Sequence, residues 1–164
     1  MFFVRTASER DLEKVSELLS TTWHATYDAL YGADKVSEIN ARRHSVPALK
    51  ERLARKDGEF VVADDGKSFA GMGYAAMAED RPKTAVLHQL YVLPDYQRQG
   101  IGRDMFAELE TCFPDAETMR LHVEKDNGLA VSFFERLGFA IIGETVDDFA
   151  AGIAMLILEK RLDF

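Results

Sequence analysis

A strand, a loop and the start of a helix follow one another between Leu90 and Arg103, and this junction constrains the fold more than any other part of the 164-residue chain. Leu90 to Val92 has strand character, Pro94 ends that strand, and a helix opens near Gly100. The first amides of a helix lack partners within the helix, and the helix dipole adds partial positive charge there. Because Gly100 and Gly102 have no side chains, an anion can approach their main chain closely. The junction therefore predicts a diphosphate site.

Three known anion-binding patterns compete for this junction. A dinucleotide fingerprint needs Gly-x-Gly-x-x-Gly after a strand, a P-loop needs Gly-Lys-Ser/Thr, and the junction contains neither. The remaining pattern is the coenzyme A pyrophosphate loop, Gln/Arg-x-x-Gly-x-Gly/Ala, which Gln97, Gly100 and Gly102 satisfy. Arg98 and Arg103 can add positive charge at its rim, since guanidinium groups suit phosphate geometry.

The order of strands and helices predicts the fold class. Strand patterns alternate with helical ones, and no linker or internal repeat interrupts residues 1–164, which we interpret as one domain. The expected fold is α/β (α+β), with a mixed, mostly antiparallel central sheet of about seven strands and helices on both faces. Strands are predicted at 3–6, 59–63, 68–77, 85–92, 118–123, 139–146 and 153–159. A helix is predicted after Ser8, whose capping box ends at Asp11, with an apolar face that extends to Trp23. Further helices are predicted over 34–55 with a break near Pro47, from Ile101 to a stop at Pro114, and from Asn127 to Gly138.

Composition and charge exclude several classes of function. The net charge of -8 argues against nucleic-acid binding, which needs a basic face. No apolar run is long enough to span a membrane, and the amino terminus lacks the pattern of a secretory signal. The histidines and Cys112 show no metal-ligand spacing, so we expect no metal. A lone cysteine fits a reducing compartment, and we expect a cytoplasmic protein.

A second motif follows the first. Its pattern is Leu121-His122-Val123-x-x-x-Asn127-x-x-Ala130-x-x-Phe133-Phe134-Glu135-Arg136-Leu137-Gly138-Phe139. With both motifs in this order, the chain resembles the GCN5-related N-acetyltransferase superfamily, which has the acyl-CoA N-acyltransferase fold. The resemblance implies a sheet that splays open between two central parallel strands, here those of Leu90–Val92 and Leu121–Val123. It also implies acetyl-CoA as the acetyl donor.

The resemblance assigns cofactor contacts residue by residue. Backbone groups of the central strand would hold pantetheine and the acetyl carbonyl, and amides of the loop would hold the pyrophosphate. Asn127 would reach the pantetheine arm, and it can cap a helix as well. Many members have a tyrosine that protonates the departing thiolate where this chain has Phe134. Water, Tyr91 or Tyr27 could substitute, and a thiolate with a pKa of about 8.5 is also a fair leaving group without a strong acid. The implied cofactor residues are Leu90, Tyr91, Val92, Gln97, Arg98, Gln99, Gly100, Ile101, Gly102, Arg103, Asn127 and Phe134.

The implied reaction is direct attack of a neutral amine on a thioester. A backbone N–H near Val92 would stabilise the oxyanion, and a general base would take the proton of the amine. His88, two residues before Leu90, is the first candidate for this base, although a strand histidine is often only a packed or surface residue. The other candidates are His122, Glu79 and Glu124.

Aromatic residues near the end of the first helix are candidates for the acceptor site. Trp23, Tyr27 and Tyr31 match a wall that the superfamily uses for the acceptor, and Trp23 and Tyr27 can equally be a packed helix pair. The predicted function is acetyl transfer from acetyl-CoA to a primary amine of a small molecule, a polyamine or a peptide N-terminus. The alternative is a non-catalytic module that binds or senses acyl-CoA. A homodimer is also expected, although the apolar strand 153–158 is equally explained as core.

Overall fold

A seven-stranded mixed sheet organises the molecule. The computed structural model describes residues 1–146 and 152–162. The strands lie in the order β1-β2-β3-β4-β5-β7-β6, and every neighbouring pair is antiparallel except β4 and β5. This confirms the predicted fold class. The strands are β1 (Phe3–Thr6), β2 (Gly58–Asp64), β3 (Phe69–Met77), β4 (Thr84–Val92), β5 (Thr118–Glu124), β6 (Ala140–Val146) and β7 (Ala154–Arg161).

The described residues form five α-helices, which cover the sheet. The first helix is longer than predicted, and the second predicted helix is divided into two. The capping box forms as expected, with the Ser8 amide donating to the Asp11 carboxylate at 2.8 Å. The helix that follows runs to Tyr31, because the chain turns only at Gly32, where φ is +88°. The predicted second helix is two helices, since Ser45 caps a new helix whose first turn contains Pro47. The helices are α1 (Leu12–Tyr31), α2 (Ala33–Arg43), α3 (Val46–Ala54), α4 (Ile101–Glu110) and α5 (Gly128–Arg136).

Each face of the sheet carries its own hydrophobic core. On one face, Met105, Phe106 and Leu109 of α4 pack against the sheet, and α5 lies against the same cluster. On the other face, α1, α2 and α3 contribute residues such as Leu19 and Leu49. The sheet is thus the middle of three layers, and a site at its centre can be reached from both sides.

The parallel pair β4 and β5 separates after three residues of pairing. Thr84, Ala85 and Val86 pair with Thr118, Met119 and Arg120, and no further pair joins these two strands in the described part of the chain. β4 nevertheless stays paired with β3 as far as Val92, and β5 stays paired with β7 along its length. A gap therefore opens in the middle of the sheet, as the resemblance implied.

A β-bulge in β4 lies at the start of this gap. Tyr74 pairs with Gln89 and Ala75 pairs with Leu87, so His88 is an extra residue without a partner on β3. Before the bulge, Leu87 packs in the α4 core. After it, Leu90 packs there, and Tyr91 packs with the α1–α3 core. The bulge therefore reverses which residues of β4 face each layer.

Two glycines of β3 allow α4 to lie close to the sheet. A Cβ on Gly71 would lie 2.6 Å from the Tyr91 carbonyl oxygen and 2.8 Å from the Met105 Cε. A Cβ on Gly73 would lie 2.9 Å from Leu109 Cδ1. Such distances are too short for ordinary packing, so these positions require glycine. They explain why glycines interrupt a strand that is otherwise buried.

We expect Gly71→Ala to lower the free energy of unfolding by about 1–3 kcal/mol, because the added methyl group would have to displace backbone as well as a side chain. Urea denaturation measures this change. Gly128→Ala is the matched control, since a Cβ there meets no atom within 4 Å, and it should shift stability by less than about 0.5 kcal/mol. Equal stability of both variants would contradict the close approach of α4.

Candidate active site

The gap between β4 and β5 opens into a cavity of about 1630 Å³. Gly100 at the start of α4 borders this cavity, and so does Trp23 on the opposite face of the sheet. The cavity thus connects the predicted cofactor loop with the predicted acceptor wall. A donor and an acceptor that enter from opposite faces can meet where the two strands diverge.

The loop before α4 presents a run of unpaired main-chain donors. Gly100 is the N-cap of α4 with φ +80°, and Arg98 has φ +66°. Within the described residues, none of the amides from Arg98 to Arg103 donates to a backbone carbonyl, and the first amide that does so is that of Asp104. The side chain of Gln97 donates to the Val92 carbonyl at 3.0 Å and joins the loop to the strand. This arrangement suits a pyrophosphate, which accepts several hydrogen bonds at a helix terminus.

The two glycines of the loop have different surroundings. A Cβ on Gly100 would meet no atom within 4 Å, whereas one on Gly102 would lie 3.2 Å from Phe133 Cζ. Gly100 is therefore required for its left-handed backbone, and Gly102 makes room for the ring of Phe133 on α5. The sequence pattern predicted that both glycines allow an anion to approach the main chain. In the structure the two glycines have different local reasons for lacking a side chain.

Most of the other predicted cofactor residues also border the cavity. Asn127 caps α5 by accepting a hydrogen bond from the Ala130 amide at 3.3 Å. Phe134 borders the cavity and packs edge-on against Phe133 and Phe139. Gln99 is not among the residues that border the cavity.

A cluster of aromatic rings and one carboxylate lies across the gap, on the α1–α3 face. The Tyr27 hydroxyl interacts with Tyr91 and with Glu124, and the rings of Trp23 and Tyr91 lie edge-on with centroids 6.3 Å apart. Burial raises the pKa of Tyr91 to about 12 and that of Tyr27 well above its ordinary value, so both hydroxyls stay protonated at neutral pH. Glu124, only 4% exposed, borders the cavity at the end of β5. We name Trp23, Tyr27, Tyr91 and Glu124 the aromatic–acid cluster.

Two of the three residues predicted for the acceptor site border the cavity. Trp23 and Tyr27 border it, and their ring centroids also lie 4.4 Å apart, so they are both a packed pair and a part of the wall. Tyr31 packs against Tyr27 with a centroid distance of 5.8 Å and does not border the cavity.

The predicted general bases lie in different environments. His88 is accessible from the cavity and stacks on Tyr74 at 5.6 Å. Shielding from bulk water lowers the pKa of His88 to about 4, and the positive charges of Arg55 and Arg52 act in the same direction. His122 also borders the cavity. Glu79 does not, and its side chain is 87% exposed.

Three residues of the site were not found from the sequence. His44 is buried against Trp23, at a centroid distance of 5.0 Å, and its Nδ1 lies 2.6 Å from the Asn40 amide oxygen. Arg52 of α3 and Gln89 of β4 border the same cavity. These side chains meet only through tertiary packing, and no local spacing in the sequence identifies them.

The described residues offer no group of three His, Cys, Asp or Glu side chains arranged to hold a metal ion. Among the same residues, no helix has both the length and the apolar character needed to cross a membrane.

Comparisons with known proteins agree with the geometry. A spermidine N(1)-acetyltransferase from Thermoplasma acidophilum is 24% identical over 164 residues, which is 98% of this chain and 97% of that protein. A ribosomal protein bS18-alanine N-acetyltransferase from Escherichia coli strain K12 is 33% identical over 107 residues, which is 62% of this chain and 70% of that protein. The PaiA N-acetyltransferase from Thermoplasma acidophilum, solved in complex with coenzyme A, superposes with a TM-score of 0.84 at 23% identity, covering 98% of this chain and 99% of that chain.

The family model gives the most direct assignment. The model of the acetyltransferase (GNAT) family matches residues 13–139, from the beginning of α1 to the residue before β6. That span contains the loop, the gap and the aromatic–acid cluster. The resemblance predicted from the two sequence motifs is confirmed: the chain belongs to the acetyltransferase (GNAT) family.

Proposed function

We propose that residues 1–164 form one domain that transfers the acetyl group of acetyl-CoA to a primary amine by direct attack. The observation that carries this proposal is the single cavity joining two chemically different surfaces. One surface is the set of free amides from Arg98 to Arg103, and the other is the aromatic–acid cluster. The divergence of β4 from β5 lets the two substrates meet between them.

The free edge of β4 supplies the contacts for the pantetheine arm. The Leu93 amide donates to the Ala70 carbonyl on β3 at 2.8 Å. Successive N–H groups alternate sides along a strand, so the Val92 N–H lies on the side of the gap. Unpaired backbone groups need partners, and the amides of pantetheine can supply them. On this basis the Val92 N–H is the donor for the acetyl oxyanion, with Arg98, Arg103 and the loop amides holding the pyrophosphate.

We propose Glu124 as the general base, directly or through one water. Glu124 borders the cavity at the end of β5 and interacts electrostatically with Tyr91, which precedes Val92, and both observations support this role. His88 lies at the deeper end of the gap, and its low pKa makes it a poor acceptor for the proton of an ammonium group whose pKa is about 10. A thiol has a pKa of about 8.5, so the thiolate of coenzyme A can leave without a hydroxyl at Phe134.

The two named relatives give the range of acceptors, since one acts on spermidine and the other on a protein alanine. Both are amines, and the proposed acceptor class is a primary amine of a small molecule, a polyamine or a peptide N-terminus. A non-catalytic acyl-CoA sensor is the alternative, because the loop amides serve both functions. Release of free coenzyme A in the presence of an amine separates the two proposals.

A homodimer in the cytoplasm is the proposed state of the protein. Strand β6 forms one edge of the sheet, and it exposes Ile141, Ile142 and Val146 by 48%, 49% and 62%. Exposed apolar residues on an edge strand favour contact with a second chain. Light scattering at several protein concentrations tests the association.

We expect acetyl-CoA to bind the folded protein in calorimetry, and Gly100→Ala to weaken that binding by about tenfold. A Cβ in a left-handed conformation costs about 1–2 kcal/mol, which the loop can relieve by moving its amides away from the pyrophosphate. Gly66→Ala is the matched control, because Gly66 also has a positive φ and open space around it but does not border the cavity. Absence of any binding by wild type would refute the transferase and the sensor together.

We expect Glu124→Gln to lower kcat by about 10² to 10⁴, because the amide cannot accept the proton of the amine. The Kd for acetyl-CoA should stay within about twofold, since the loop amides are unchanged. Steady-state kinetics and calorimetry measure the two quantities. A wild-type kcat in this variant would rule out Glu124 as the base.

We expect His88→Ala to leave the shape of the pH–rate profile unchanged between about pH 6 and pH 9. Because the pKa of His88 is about 4, the imidazole is neutral throughout this range and contributes no inflection. His122→Ala, on the other side of the gap, serves as the comparison. Loss of an inflection in the His88 variant alone would restore His88 as the base.

A further inference from the structure

The cavity is lined by positive charge although the chain as a whole is acidic. Nine arginines and three carboxylates border it among the described residues, in a chain whose net charge is -8. Four of these arginines lie near the α4–α5 side or on β5. The other five lie on helices α2 and α3 or in the segments that follow β3 and α3, and they are Arg42, Arg43, Arg52, Arg55 and Arg81. On this side of the cavity the five arginines therefore outnumber the carboxylates of Glu51, Asp80 and Glu124.

Arg52 is the member of this group with a buried guanidinium nitrogen that no described residue partners. Its Nη2 donates to the Arg43 carbonyl at 2.8 Å, whereas its Nη1 is buried without a hydrogen-bond partner. Arg55, in contrast, pairs with Asp57 at 2.5 Å. No carboxylate of the described chain lies within ion-pair distance of Arg52. A buried guanidinium N–H without a partner is costly, and an anion held beside the same guanidinium would offset part of that cost.

Gln89 provides a second unsatisfied group in the same cavity. It follows the bulge of β4, is 8% exposed, and its Oε1 has no hydrogen-bond partner. A buried amide oxygen can accept an N–H from a ligand. Arg52 and Gln89 thus bring a charged donor group and a neutral acceptor group to the same cavity.

Both residues are near the proposed reaction centre. Arg52 acts electrostatically on His88, Tyr74 and Tyr91, and Tyr91 belongs to the aromatic–acid cluster. Gln89 lies two residues before Tyr91 on the same strand. A ligand that reaches Arg52 is thus within the chamber that holds the acceptor.

We propose, on the basis of the transferase function above, that the acceptor is an amine that also carries an oxyanion, either a carboxylate or a phosphate, bound by Arg52. The planar guanidinium suits both anions. Gln89 accepts an N–H of the same molecule. A polyamine lacks an anion and would bring additional positive charge against the arginines, so it is a poor substrate of this chain.

The test compares matched amines that differ only in the anion. Release of free coenzyme A from acetyl-CoA is measured with alanylalanine and its C-terminal amide, with O-phosphoethanolamine and ethanolamine, and with spermidine. We expect the anionic member of at least one pair to have a kcat/KM about tenfold or more above its neutral counterpart, and spermidine to be slower than that anionic amine. The pair that shows the larger ratio identifies carboxylate or phosphate as the anion.

Variants of Arg52 test whether this residue causes the preference for anionic over neutral amines. Arg52→Gln should reduce the ratio between the anionic and neutral amines about tenfold, mainly through KM of the anionic member, and Arg52→Lys should retain part of it. Arg10→Gln removes one positive charge from an exposed position outside the cavity and should keep the full ratio. Because each ratio is taken within one protein, a variant that is partly unfolded still gives a valid comparison.

Failure of the anionic-acceptor proposal and failure of the transferase proposal give different results. Equal kcat/KM for both members of each pair, or spermidine as the best substrate, would overturn the anionic acceptor and leave the transferase intact. If no amine releases coenzyme A, the transferase fails. In that case, the proposal that Arg52 binds an anionic amine is supported if such an amine raises the Tm of the coenzyme A-loaded wild-type protein but not that of Arg52→Gln. The proposal is refuted if the amine raises the Tm of neither protein.

Discussion

The separation of β4 from β5 is the constraint on which the rest of the site depends. Only Thr84 to Val86 pair with β5, and beyond them one edge of β4 has no strand beside it. Buried backbone groups need partners, so an open sheet centre is stable only with a ligand or water in it. The remaining strands keep their pairing and hold this opening in place. We propose that the peptide-like arm of acetyl-CoA binds along this open edge of β4.

The bulge at His88 gives the two sides of the opening their different chemistry. It directs Leu90 and Val92 into the core below α4 and sends Tyr91 towards α1. Gly71 and Gly73 then let α4 lie close to the sheet, which brings the amides before α4 to the cofactor side. On the acceptor side, Tyr91 joins Tyr27 and Glu124. One extra residue in a central strand therefore separates the side proposed to bind the acetyl donor from the side proposed to take up the proton.

Much of the fold and half of the site follow from local sequence. The strand–loop–helix junction and the Asn127 cap are contiguous patterns with a direct physical meaning, and both form as expected. The break between α2 and α3 was placed at Pro47, but Ser45 is what caps the new helix. Arg52 and Gln89 gave no signal, because an unsatisfied group is recognised only after every neighbour is known. Tyr31 shares helical spacing with Tyr27 and still does not border the cavity, since packing and not spacing decides access.

Amide hydrogen exchange at Val92, followed by NMR with and without coenzyme A, tests the central claim most directly. The Leu93 amide, which already donates to Ala70, provides the internal reference within the same strand. Occupation of the vacant edge of β4 should slow exchange at Val92 and in the loop from Arg98 to Arg103 while Leu93 changes little. Unchanged exchange at Val92 in the fully loaded protein would mean that the open edge is not where the cofactor binds.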